Sequence, residues 1–318
     1  MKIQDVSCGL PRLTVVLSVL VSLFLAGSAM AEPAGPAQFA SPQQAATALI
    51  AAVKSDDEPE LLHILGQEAE ALIFSGDPVA DRNGRARFLR AYETKNSLET
   101  LTDAHVVLSV GESAYPFPLP IVRQGGQWFF DTAAGKEEIL NRRIGKNELH
   151  TIEVMQVYTD AQREFACMKH PGGSEFARKF VSSEGQQDGL YWEVAPGEGE
   201  SPLGPLIARA TREGYANGLD QEDPEPFHGY YFKILTAQGR HADGGAFAYV
   251  IEGKMVLGFA LVAYPAKYGV SGIMTFMVNQ AGVIYEKDLG EDTGKMAAAM
   301  TTFDPDASWR KYEESENP

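Results

Sequence analysis

HGYYFKILTAQ (residues 228–238), MVLGFALVAYP (255–265) and SGIMTFMVNQAGVIYEKDLG (271–290) are the stretches whose reading decides the fold. Each is an apolar run of strand length, rich in Tyr, Phe, Val and Ile, and Gly-bearing turns separate them. They read as neighbouring strands of one antiparallel sheet. The block from Gly229 to Gly290 contains no nucleophile elbow, no metal-ligand spacing and no phosphate loop.

A sheet with an apolar face needs a cover. Lys136 to Lys169 supplies a helical one, with Leu149, Ile152, Met155, Tyr158, Ala161, Phe165 and Met168 three or four apart on one stripe and Glu153, Asp160, Arg163 and Lys169 on the other face. Gly145 is expected to kink or divide this helix and Asn147 to cap its second part. Residues 135–146 therefore read as a linker helix and 147–303 as a sheet-bearing domain. Within that domain FARKFVS (176–182) reads as a helix, Ser201-Pro202 as the start of another through GPLIARATREG, and TGKMAAAM as a last one. Residues 304–318 read as an acidic tail.

Towards the N-terminus the pattern is helical first and alternating afterwards. Ser41 as N-cap, Pro42 at the first helical position and Gln44 completing a capping box open a helix whose Ala45, Ala48, Leu49, Ala52 and Val53 face a core. Further helices follow at EPELLHIL (58–65), around Glu68 to Phe74, and from Asp77-Pro78 through VADRNGRARFLRAYETK. Strands are then expected at Ala104–Val110, Pro118–Arg123 and Gln127–Asp131, the last two joined at Gly125-Gly126. The fold class is α+β: a helix-rich N-terminal domain (41–134) with a small curved antiparallel sheet, linked by a long helix to a second domain with an antiparallel sheet. The Ala/Pro-rich segment 32–40 is expected to be mobile.

Residues 1–31 carry the pattern of a signal peptide: Lys2 and Arg12 in the n-region, an apolar LTVVLSVLVSLFLA, and Ala29-Met30-Ala31 before Glu32. The apolar run is shorter than the ~20 residues a span needs, and no second run of that length follows. The mature chain is expected in the periplasm or secreted, with no membrane span. Only Cys167 is left after cleavage, in the helical run EFACMK, where a buried apolar role is expected and no internal disulfide can form. The net charge of −16 argues against nucleic acid and anionic lipid surfaces as partners.

The stretch 41–134, ending in GGQWFFD, loosely resembles the cone folds of the nuclear-transport-factor type, which often hold an apolar pocket. Residues 147–290 resemble a pilin-like domain of the type II secretion pseudopilins: Gly229-Tyr230 with Phe232, Ala263-Tyr264-Pro265, and Gly272 to Ile284 with Phe276, Val278 and Gly282. The G-F-x-x-x-E processing motif of pilins is absent, so a monomer or small oligomer is expected instead of a filament. GDPVADRNGRARFLRAY, GKEEILNRRIGKNEL, DGLYW, SPLGPL, GYYFKILTAQG and FALVAYPAKYGVSGIMTFMVNQAGVIYEKDLG together resemble a bacterial exported family catalogued as domain of unknown function 2950. That resemblance implies no established activity.

Candidate sites stand on their own chemistry. Tyr191, Trp192, Tyr215, Phe227, His228, Tyr264 and Tyr268 could line a groove for a peptide, a glycan or another envelope protein, since aromatic anchors bring large area at low entropy cost. Asp288, Glu291 and Asp292 could hold calcium, although their spacing departs from the twelve-residue calcium loop and a solvated acidic turn at a helix N-terminus explains them better. No other cofactor is indicated. Ser201 with His228, His241 and Asp243 could be drawn as a hydrolase without its elbow. Arg82, Arg85, Arg87, Arg90, Arg142 and Arg143 face Asp77, Asp81, Glu137 and Glu138 in the sequence and read as interdomain ion pairs. The six His residues are scattered singly.

Three functions follow: a noncatalytic binding or scaffold protein for an envelope component, an envelope hydrolase with an interdomain pocket, or an accessory assembly factor related to pseudopilin systems. The leader reading makes one direct prediction. Protein recovered from the periplasm should begin at Glu32 by N-terminal sequencing, and full-length chain in washed membranes would overturn it.

Overall fold

Ser41 Oγ accepts the Gln44 N–H at 3.2 Å and Pro42 follows it, so the chain enters α1 (Pro42–Ser55) with its cap satisfied and its φ already helical. Asp57 caps α2 (Glu58–Leu65) in the same way. A single 3₁₀ turn at Gln67–Ala69 leads into the short α3 (Glu70–Ile73), and Asp77 caps α4 (Pro78–Thr94). The computed structural model describes residues 35–168, 173–195, 197, 199–215 and 224–313. The leader reading, Lys169 of the expected helix and the end of the acidic tail lie outside the described residues.

The first sheet is antiparallel, with β1 (Asn96–Thr102), β2 (His105–Val110), β3 (Tyr115–Pro116), β4 (Ile121–Gln124) and β5 (Gln127–Phe130). Its order is β1-β2-β4-β5, with β3 also pairing β2. Three of these strands match the sequence reading. β1 does not appear there, because NSLETLT has no buried residue on either face and so no alternating signal. Ala45, Leu49, Ala52, Leu61, Ile64, Ala69, Ile121 and Phe130 form the core between helices and sheet.

α5 runs unbroken from Thr132 to Cys167. Gly145 does not divide it into a linker and a second helix, and Asn147 is no cap: its Nδ2 donates to the Ser271 carbonyl at 2.9 Å. The buried stripe is as expected from Ile152 to Phe165, but Leu149 lies outside it and is 61% exposed. Cys167 is exposed at the helix end, where the stripe has already turned away from the core.

After α6 (Gly204–Glu213) the chain forms β6 (Tyr230–Leu235), then the short β7 (Ala237–Gln238), β8 (Phe247–Ala248), β9 (Val250–Ile251) and β10 (Lys254–Met255). β11 (Ala260–Pro265), β12 (Met274–Asn279) and β13 (Tyr285–Asp288) follow, then α7 (Thr293–Ala299), β14 (Thr302–Phe303) and β15 (Arg310–Lys311). The second large sheet has the antiparallel order β15-β13-β12-β11-β6. The three stretches that opened the sequence reading therefore supply its four inner and edge strands β6, β11, β12 and β13. Tyr158, Phe165, Phe259, Phe276 and Val278 are among the side chains buried between α5 and this sheet.

Four local expectations are corrected. FARKFVS is not a helix: Val181 pairs with Tyr191 and Phe176 with Met255 as isolated bridges. Ser201 does not cap α6 with its side chain; the N-cap is Leu203 and Ser201 contributes only its carbonyl to Gly204 N–H. The segment expected to be mobile is held from residue 37, where Ala37 N–H donates to His63 O and Phe39 exchanges two backbone hydrogen bonds with Trp128. The acidic tail is anchored as far as Tyr312, whose N–H donates to Ile284 O. The described residues form one compact unit containing both cores.

Two glycines on this scaffold should behave oppositely. Gly229 has φ +81° and an added Cβ would meet Asn147 Nδ2 at 2.5 Å, whereas a Cβ at Gly145 meets nothing within 4 Å in mid-helix. Gly145→Ala should stabilise by about 0.5–1 kcal/mol. Gly229→Ala should destabilise by roughly 1–3 kcal/mol from backbone strain, with the contact adding to it. Urea unfolding of both variants checks the pair.

Candidate functional site

α4 is the element from which the site grows. It is 17 residues long, and its Val79, Phe88 and Leu89 are half-buried, Val79 against the second core and Phe88 against the first. A helix in a packed layer ordinarily buries one stripe. Here the inner face of α4 looks into a cleft of about 620 Å³. The volume lies within the range of small-molecule sites.

The floor is apolar and belongs to the first core: Leu49 from α1, Leu61 and Leu65 from α2, Ile73 from α3, and Leu119 from the segment before β4, all buried. Phe88 and Phe117 close one side, their rings 5.0 Å apart. The opposite wall comes from α5 and the second half of the chain: Ile139, Arg143, Lys146, Asn147 and His150 at helical spacing, then Arg212 and Glu213 at the end of α6, Tyr215 and His228.

Buried polar groups fix these walls to each other. Asp77, fully buried, accepts Ala80 N–H at 2.9 Å through Oδ1, and Tyr215 O–H at 2.9 Å and Gly229 N–H at 2.8 Å through Oδ2. Burial and the adjoining Asp77 carboxylate push the Tyr215 hydroxyl well above its ordinary pKa, so it stays a donor. Arg143 donates to the Ala71 and Leu72 carbonyls, both at 2.6 Å, satisfying acceptors that the end of α3 leaves open. Burial lowers the pKa of Arg143, opposed by Asp81. Burial raises that of Asp81, opposed first by the Ser75 N–H it accepts at 2.9 Å. Asn83 Nδ2 donates to Glu213 O at 2.8 Å and ties α4 to the end of α6.

His150 and His228 meet at the cleft wall with ring centroids 4.5 Å apart and planes tilted by 52°, so two histidines scattered in the sequence are neighbours in the fold. His228 sits at φ +49° with its Nε2 3.0 Å from Glu213 Oε2. That carboxylate favours a protonated ring. Burial opposes it, as do His150, Arg209, Lys146 and Arg87, and together they bring the His228 pKa down to about 3. His228 is therefore neutral near pH 7 and donates Nε2–H to Glu213. Burial and then Lys146 also lower the pKa of His150, whose buried Nδ1 has no hydrogen-bond partner.

The arginines singled out in the sequence do not form interdomain ion pairs. Arg85 binds Asp56 at 2.7 Å and Glu58 at 3.0 Å within the first half, and Arg142 pairs with Glu138 on its own helix. Among the described residues Arg87 and Arg90 have no ion pair, and Asp77 accepts from Tyr215 and Gly229 instead.

Of the aromatic candidates, Tyr215, Phe227 and His228 come together, with centroid separations of 4.9, 5.4 and 4.3 Å, and Tyr215 and His228 line the cleft. Tyr191 and Trp192 pack against the second core from the segment that pairs with Val181. Tyr264 lies against Tyr231 at 5.5 Å, and Tyr268 O–H donates to Asp288 Oδ2 at 3.3 Å. Asp288 Oδ1 also accepts Gly290 N–H. Asp288, Glu291 and Asp292 do not form a metal-holding group with each other, and no group of three or more His, Cys, Asp or Glu side chains among the described residues is placed for one. Asp304 is the partner of His241, through its Nδ1 at 3.1 Å, so His241 is engaged away from Ser201. Sequence reasoning missed Lys146, His150 and Arg212. Arg143, Lys146 and His150 recur at three- and four-residue spacing on α5, and that polar stripe beside the apolar one was the available signal.

The chain belongs to the family described as protein of unknown function (DUF2950), matched over residues 37–312. No curated protein and no solved structure matches it. No helix among the described residues is long and apolar enough to cross a membrane.

The depressed His228 pKa has a sign that can be measured. The unfolded chain binds the proton near the ordinary value of 6.5 and the folded chain only near 3, so stability present above pH 6.5 is lost as pH falls through this window. His228 alone contributes a slope of up to about 1.4 kcal/mol per pH unit there. His228→Asn, which suits φ > 0, should flatten the acid limb of a stability–pH curve from urea unfolding.

Proposed function

We propose that this is an exported, noncatalytic binding protein of the bacterial envelope, and that its ligand site is the cleft beneath α4. The observation that carries the reading is the cleft itself, about 620 Å³ between an apolar floor from the first core and the face of α4 that carries Ala80, Asn83, Gly84 and Phe88. Leaving such surface uncovered forgoes roughly 25 cal/mol per Å². A ligand that occupies the cleft recovers that stabilisation.

The side chains at the cleft wall are engaged in building it: Asp77 holds Tyr215 and Gly229, Arg143 holds the end of α3, and Glu213 holds His228. Tyr215 and His228 keep their place as ligand-binding candidates. The leader pattern in residues 1–31 supports export to the periplasm or beyond. In this proposal the first half acts as a cone-like domain whose pocket opens sideways, and α5 with the second sheet acts as the pilin-like half that closes it, as a monomer or small oligomer. A hydrolytic role has one observation in its favour, the His228–Glu213 pair beside His150 in the cleft, and an ester-substrate screen against His228→Asn addresses it.

Gly84 offers a clean test. It lines the cleft, and an added Cβ there approaches only the end of the Arg87 side chain, at 3.9 Å. Gly84→Phe should fill the cleft while raising helix propensity by about 0.5 kcal/mol. A small-molecule extract of the envelope should raise the Tm of the wild-type protein by several degrees and leave Gly84→Phe unshifted. Equal shifts in both would remove the cleft as the site.

A further inference from the structure

We propose that the cleft selects an amphipathic anion: one acidic head, carboxylate, sulfonate or phosphate, carried on an apolar body. This rests on the cleft being the ligand site and specifies what that site takes.

Charge is distributed through the cleft by depth. Six cationic side chains line it, against the carboxylates of Asp81 and Glu213, in a chain whose net charge is −16. Two of the six are engaged, Arg85 with Asp56 and Glu58, and Arg143 with the carbonyls of α3. The other four, Arg87, Arg90, Lys146 and Arg212, are exposed and have no ion pair or hydrogen bond among the described residues. They come from α4, α5 and α6, so the fold brings them to one rim from three elements. Four like charges held at one mouth repel each other. Their repulsion is relieved by an anion, and the buried leucines below accept an apolar body and nothing charged.

Between rim and floor stands His150, neutral, with its buried Nδ1 unpartnered. A buried polar nitrogen without a partner costs stability unless a ligand supplies one. That places a hydrogen-bonding group of the ligand near the head, with the hydrocarbon or aromatic part beyond it. Free inorganic anions would satisfy the rim and leave the floor open, so the apolar body is part of the inference.

Two dyes with one aromatic body separate the terms. 1-Anilinonaphthalene-8-sulfonate carries an acidic head and N-phenyl-1-naphthylamine does not, and both brighten when buried. The purified protein should bind the sulfonate about tenfold more tightly than the neutral dye, with that preference shrinking as salt screens the exposed rim. In Arg87→Glu with Arg90→Glu, whose side chains have no partners to lose, the affinity ratio should fall to about one or below. Dodecanoate should displace the sulfonate, and inorganic phosphate should not. Gly84→Phe should lose both dyes. Equal affinity for the two dyes, with both lost in Gly84→Phe, overturns the anion selection and leaves the cleft as the site. Binding of both dyes unchanged by Gly84→Phe overturns the cleft reading itself. Displacement by inorganic phosphate alone overturns the requirement for an apolar body.

Discussion

Asp77 accepts hydrogen bonds from three places in the chain: the first turn of α4, the Tyr215 hydroxyl beyond α6, and the Gly229 amide where the second sheet begins. A hydrogen bond to a charged acceptor contributes on the order of 1.5–3 kcal/mol. Asp77 in turn needs its donors, since a buried carboxylate without them would be strongly unfavourable. The dependence is mutual, and it joins the helical layer of the first half to the start of the second sheet. Tyr230 continues the connection: its hydroxyl donates to Met274 O, and Glu148 on α5 accepts the Ile273 and Met274 amides at 3.0 Å each. The α4 roof, the α5 wall and the edge at His228 are thereby set in one geometry.

That geometry also explains why the cleft does not collapse. α4 is held at its N-terminus by Asp77, at Asn83 by the Glu213 carbonyl and at Arg85 by Asp56 and Glu58. It cannot shift into the cleft without breaking these contacts. α3 is pinned from the other side by Arg143. Packed interiors yield little to single residues, and an opening bounded by capped helices and hydrogen-bonded termini keeps its width. The open space is a consequence of polar groups placed around an apolar floor.

Much of the architecture was legible because its signals are local. Ser41, Asp57 and Asp77 are helix starts that can be read from three or four residues, and the three apolar stretches after His228 carry strand composition in every window. β1 carries no such signal, because an exposed edge strand of polar residues owes its existence to the ladder with β2. Gly145 was read as a break from its backbone freedom, but α5 spans both cores and their packing outweighs a propensity cost of about 1 kcal/mol. The cleft was the least legible part. Its rim joins Arg87 and Arg90 to Lys146 and Arg212, and its histidine pair joins residues 150 and 228; no periodicity connects such distant positions. The arginines were noticed for their number, yet only the structure shows which of them pair and with which carboxylates.

The contrast between the acidic chain and its cationic cleft has a further consequence for selectivity. An anion approaching most of the surface meets a field of its own sign, which disfavours nonspecific association. At the rim the sign reverses, and the low-dielectric floor behind it strengthens the attraction felt there. His150 and His228 extend this contrast inward: as neutral rings they add no charge at depth, and an acidic head is held at the mouth by the cations while apolar mass alone is accepted below. Discrimination then comes from two opposed demands made at different depths. A simple salt ion fails the lower one, and a neutral hydrocarbon fails the upper one. The placement of four unpaired side chains around one apolar opening argues for anions that carry a greasy body.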